Sequence, residues 1–171
     1  MRSILLCLAA LLSHSAFATE LCHIENVVLL QSVPVTQQRL GDPQVLADYV
    51  DSIANAADKS LADEAAPSPA SGFIVLAVRP GGRSKAWLDL SPALSPALET
   101  RLKSALEKVV PFSAKNNVVV FAIKVSLWGA KASERIKPAP IEWKNAAKGS
   151  KGPIEIGALI ERVWPEEKPG N

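Results

Sequence analysis

This 171-residue sequence predicts an α+β fold. The expected core is a small antiparallel sheet, ordered strand-turn-strand-helix-strand, with an acidic helix before it and a helix at the C-terminal end. Three observations predict it. An unbroken apolar run, Phe73 to Val78, is followed by Pro80-Gly81-Gly82 and then by an alternating run, Lys85 to Leu90. A long alternating stretch runs from Val118 to Trp128. Three other stretches repeat apolar residues every three or four positions, the period of a helix with one buried face.

Residues 1–18 are set apart from this core. Arg2, the apolar run Ile4 to Leu12 and the small-x-small triplet Ala16-Phe17-Ala18 make the pattern of a cleavable secretory leader. The run falls short of the ~20 residues that span a bilayer; an uncleaved N-terminal anchor is the rival. Export to the periplasm is therefore expected, with residues 19–171 as a single mature domain and no stable membrane insertion. The whole chain carries +2, one less once Arg2 leaves. No global charge draws it to nucleic acid or to an anionic membrane, so no nucleic-acid partner is expected. Cys7 goes with the leader, which leaves Cys22 without a second cysteine in the chain. It reads as a buried thiol, as a disulfide joining two chains, or as a lipid attachment site.

In the mature chain, Val27 to Leu30 and Val33 to Val35 suggest an edge strand or an extended lead-in, since Pro34 is unsuited to a central strand. Gly41-Asp42-Pro43 then starts a helix expected from 43 to about 65. Leu46, Tyr49, Val50, Ile53, Ala57 and Leu61 form its apolar stripe. Its outer face carries Asp42, Asp48, Asp51, Asp58, Asp63 and Glu64 against Lys59 alone. That face is either solvated or docked, by a basic partner or by the chain's own basic segment.

After the linker Ala65 to Ser71, the continuous apolar run Phe73 to Val78 implies a strand covered on both faces or one in the middle of a sheet. Arg79-Pro80-Gly81-Gly82-Arg83 is a tight turn, and Ala86, Leu88 and Leu90 alternate with Lys85, Trp87 and Asp89 in the strand beyond. Trp87 is either exposed or covered by the C-terminal helix. Ser91-Pro92 and Ser95-Pro96 are alternative caps for a second helix, with Ser95 preferred; Leu98, Leu102, Ala105, Leu106 and Val109 form its stripe, stopped by Pro111. The strand Val118 to Trp128 closes the core. Lys131 to Lys151 is basic and mostly loop, with Ile141-Glu142-Trp143 as a short strand. Gly152-Pro153 opens a last helix carrying Ile156, Leu159, Ile160, Val163 and Trp164.

Residues 72–128 resemble the C-terminal domain of the TonB/TolA-type periplasmic proteins. The likeness rests on the apolar first strand, the Pro80-Gly81-Gly82 turn, the second strand, the helix, Val110-Pro111-Phe112 at its end and the Val/Phe-rich last strand. It implies a small sheet with a helix on one face, a periplasmic location and partner recognition by adding a strand to a sheet edge. The energy transducers of that family carry a membrane anchor and a proline-rich spacer; this chain is expected to have neither. The resemblance places the partner-binding edge on the last strand, at Val118, Val120, Ala122, Lys124, Ser126 and Trp128.

Residue types that carry catalysis are sparse. The mature chain has one histidine, His23, and no G-x-S-x-G. Cys22-His23 gives two soft ligands, short of the three or four a zinc site uses. Arg79 to Lys85 resembles a phosphate loop in composition but leads into a strand, where such a loop leads into a helix. Glu99 and Glu107 lie about 12 Å apart on one helix face, which is ordinary surface spacing. Basic residues near Trp128 and Trp143 suit single-stranded nucleic acid in composition, but an exported protein would use them on other partners. No cofactor and no metal are expected. The sequence is read as a non-enzymatic periplasmic binding or scaffold protein whose partner is an envelope protein. A homodimer through Cys22 or through an edge strand is a further expectation. An inhibitor or immunity-type protein and a small exported enzyme are the alternatives.

Overall fold

A strand that is apolar on both faces needs cover on both sides of its sheet, and the computed structural model supplies it. The structure describes residues 21–150 and 152–166; the leader, residues 1–18, lies outside them. The elements in chain order are β1 (Cys22–Leu29), α1 (Val33–Leu40), α2 (Gln44–Leu61), β2 (Ala70–Arg79), β3 (Arg83–Ser91), α3 (Pro96–Glu107), β4 (Val119–Leu127), α4 (Ile141–Ala147) and α5 (Ile156–Val163). The strands form one antiparallel sheet in the order β1-β4-β2-β3.

On one face, Ile74, Leu76 and Val78 of β2 and Phe121, Ile123 and Val125 of β4 pack against α2 and α3. The α2 stripe Tyr49, Val50, Ile53, Ala57 and Leu61 is buried there, as is Leu98-Leu102-Leu106 of α3. On the other face, Phe73, Val75, Ala77, Val120 and Ala122 pack under α4 and α5, through Trp143 and Ile160. Trp87 is buried here, edge-to-face with Trp143 at 5.5 Å between ring centroids. The cover comes from α4 as well as the C-terminal helix.

Several local signals work as their chemistry predicts. The Ser95 hydroxyl accepts the Leu98 N–H at the start of α3. The Asp42 carboxylate accepts the Gln44 N–H at 2.9 Å just ahead of α2. Gly81 and Gly82 take the positive φ angles of the hairpin turn, 77° and 67°. Gly72 is required by close approach: a Cβ there would collide with the Asp89 carbonyl oxygen and lie 2.7 Å from Arg135 Nη2.

Two elements differ from the expectation. Residues 33–40 form a helix, with Pro34 in its first turn, where its missing N–H leaves nothing unpaired. Ile141-Glu142-Trp143 is the first turn of α4, which Pro140 precedes. The basic segment also does not fold onto acidic α2. It lies on the opposite face of the sheet, held by Arg135, whose guanidinium reaches both Asp89 carboxylate oxygens at 2.7 Å. Asp89 also accepts the Ala139 N–H. The C-terminal helix is latched by Arg79, 1% exposed, which bonds Glu161 at 2.7 Å and the Trp164 carbonyl and stacks over the Trp164 ring.

Candidate functional site

The strand expected to be open is closed on both sides. β4 pairs with β1 along one edge and with β2 along the other. Beyond the end of β1 the sealing continues: the Gln31 carboxamide donates to the Val118 carbonyl and accepts the Val120 N–H, and Arg39 donates to the Val118 carbonyl at 2.7 Å. Val118, Val120 and Ala122 are buried under α4 and α5. Lys124 is half-buried, and Ser126 donates to Glu25 at 2.6 Å. Trp128 has a φ of 51° and turns its ring toward the α2/α3 side. The expectation that these six residues form the partner-binding edge is thus corrected: a fourth strand, β1, already occupies that edge.

The true edges are β1 and β3, and they are finished differently. Along β3 the outward N–H groups belong to the even-numbered residues. That of Ala86 bonds the Glu107 carboxylate of α3 at 3.2 Å, which Lys85 also meets at 3.0 Å. Lys103 of α3 reaches Glu142 of α4 at 3.3 Å. Because α3 and α4 lie on opposite faces of the sheet, this ion pair closes around the β3 edge. Beside Leu88 and Leu90 there remains a cavity of about 180 Å³, lined also by Asp89, Glu99 and Lys144. Charged cover of this kind protects an edge strand against pairing. The eight-residue spacing of Glu99 and Glu107 is that of ordinary surface residues, and it gives no sign that Glu99-Lys103-Glu107 is the stripe of α3 beside this edge.

Along β1 a bulge at Glu25 separates two halves of the strand. The Leu30 N–H bonds the Val120 carbonyl. Alternation from there points Asn26 and Val28 toward β4, and Val27 and Leu29 outward. Before the bulge, the outward Cys22 N–H is bonded by Asp58 of α2 at 2.7 Å. Beyond it, the outward N–H and C=O groups of Val27 and Leu29 have no partner among the described residues. Five large hydrophobic residues are exposed among the described residues. Val27 is one and lies on this edge, Val33 follows it at the start of α1, and Ile136 lines a groove beside Val28 and Leu30.

That groove, about 470 Å³, lies on the α4/α5 side of β1. Val28, Leu30, Ile136, Pro138, Trp143 and Ile156 give it apolar walls, and Lys137 stands at it. Lys137 is exposed and has no ion pair among the described residues. The Trp143 Nε1 donor is buried without an acceptor.

The sheet brings the sparse catalytic residue types together in one place. Ser91, Ser71, Ser126 and His23 form a cross-strand row, with Glu25 on the Ser126 hydroxyl. Ser126 is 4% exposed. Cys22 is 1% exposed and packs in the α2/α3-side core, so a disulfide between chains would require that packing to open. No group of three or more His, Cys, Asp or Glu side chains among the described residues is placed to hold a metal ion. No helix among them is long and apolar enough to cross a membrane. Burial pushes the Tyr49 phenol above its usual pKa; the neighbouring Ser84 hydroxyl works against this shift and the Glu107 charge adds to it.

No family model, no curated protein and no solved structure matches this chain.

Proposed function

We propose that this protein is a non-enzymatic binding module of the periplasm that captures an envelope protein by strand addition, and that β1 is the strand it offers. The observation that carries this reading is the outer backbone of Val27 and Leu29, which has no partner among the described residues and lies beside the exposed Val27 and Val33 side chains. Unpaired N–H and C=O groups on a sheet edge are a template for another strand, and backbone hydrogen bonds supply the affinity of such complexes. The periplasmic location rests on the leader pattern of residues 1–18.

Val27→Pro tests it. The Val27 N–H points away from β4, so proline removes a donor for the incoming strand and spares the β1–β4 ladder. The substitution should abolish capture of the envelope partner while circular dichroism and Tm stay near wild type. Unchanged capture by a folded variant refutes the reading.

The row His23, Ser126 and Glu25 is the observation that favours a small exported enzyme. Its serine is buried and donates to Glu25, which suits a packed polar row better than a nucleophile open to substrate. An inhibitor acting through a charged surface differs in its salt response. Its complex would weaken steeply as salt rises, whereas a backbone-paired complex would hold.

A further inference from the structure

We infer that the groove beside β1 selects which strand is added: it takes an apolar side chain of the incoming segment and an acidic residue next to it. This rests on the strand-addition reading and gives it a sequence preference. A strand laid along the outer edge of β1 sends alternate side chains to opposite faces of the sheet. Val28 and Leu30 point to the α4/α5 face. A residue of the added strand on that same face therefore stands beside them and enters the groove. There it meets Ile136, Pro138, Trp143 and Ile156. Ile136 is 79% exposed, so an apolar occupant would remove from water a surface that nothing in the described chain covers.

The charge preference comes from Lys137. Its neighbours in sequence are committed: Arg135 is bound to Asp89, and Lys131 pairs with Glu134. Lys137 lines the groove with no carboxylate within reach among the described residues. An Asp or Glu adjacent to the apolar anchor would complete it. The occupant is therefore an extended segment of another protein, apolar at alternate positions and acidic beside the residue that enters the groove.

The test is selection of displayed random peptides on the full chain, followed by titration of a selected synthetic peptide into wild type, Lys137→Glu, Ile136→Ser and Val27→Pro. Alternating apolar residues flanked by an acid are expected. Lys137→Glu should weaken binding about tenfold and turn the selected preference from acidic to basic, and Ile136→Ser should weaken it by a similar factor. Both positions are exposed, so neither change threatens folding. Selected peptides with no acidic preference, or a peptide whose affinity ignores Lys137→Glu and Ile136→Ser, overturn the inference. If Val27→Pro abolishes binding in that case, strand addition survives and the groove's role fails. If Val27→Pro has no effect while the groove variants do, strand addition fails, and the inference built on it fails too. Concentration-dependent self-association abolished by Val27→Pro would make the occupant a second copy of this chain and would likewise overturn it.

Discussion

β1 and β3 are the two edges of one sheet, and they are guarded at different places: β3 at its middle, by Glu107 on the Ala86 N–H and the Lys103–Glu142 pair, and β1 at its start alone, by Asp58 on the Cys22 N–H. β1 has Asp58 at its first residues and a bulge at Glu25, and beyond the bulge its backbone is open. An unprotected edge is an aggregation hazard. The charged contacts lie at the middle of β3, and exposed Val27 lies at the middle of β1; on that difference rests our proposal that β1 is the edge offered to a partner.

The largest effect that separates the two edges is a matched pair of prolines. Ala86→Pro removes an N–H bonded to a carboxylate and forces a ring into a fully buried site. It should cost about 3 kcal/mol of stability. Val27→Pro removes an N–H with no partner and should cost less than about 1 kcal/mol. Urea denaturation of both variants checks this; equal costs would mean that the edges are equally engaged.

Next in size is Glu107→Ala, which uncaps β3. The lost charged hydrogen bond should cost about 2 kcal/mol, with little added by the half-exposed Lys85 pair. It should also make the chain prone to associate through β3. Sedimentation velocity on the folded variant would detect this, and a strictly unchanged association state would show that Glu107 does not guard the edge.

The smallest effect is Tyr49→Phe, beneath the β3 edge. The buried Tyr49 hydroxyl has that of Ser84 as its neighbour, close enough to affect its ionisation but outside full hydrogen-bond geometry, so deleting it should change stability by no more than about 1 kcal/mol near neutral pH. Its signature is in alkali. The folded-state pKa is raised, and an unfolded tyrosine ionises near pH ~10. Wild-type stability should therefore hold below that value and fall as pH rises from it toward the folded-state pKa. In the phenylalanine variant this part of the decline should vanish; an identical alkaline profile would contradict it.

What was legible in the sequence was local. The hairpin followed from Pro80-Gly81-Gly82, the start of α3 from Ser95-Pro96, and double cover of β2 from its unbroken apolar run. Two helices were missed although each had a signal: Ser32 precedes α1 with Pro34 in the first turn, and Pro140 precedes Ile141. Both segments are short, and three to eight residues carry too little periodicity to separate helix from strand. The candidate site was misplaced for another reason. Strand order depends on pairing between residues far apart in sequence, such as His23 with Ser126, and no local pattern encodes which strand lies outermost. Alternation correctly identified Val118 to Trp128 as a strand; it could not place β1 beside it.

Amide hydrogen exchange along β1 tests the central claim most directly. In the free protein, the Asn26 and Val28 amides should be protected by β4 while Val27 and Leu29 exchange fast. Addition of a selected peptide should slow Val27 and Leu29 and leave Ala86 on β3 unchanged. Protection of Val27 and Leu29 equal to that of Asn26 and Val28 in the free chain, or no slowing at saturating peptide, would contradict β1 as the open, partner-binding edge.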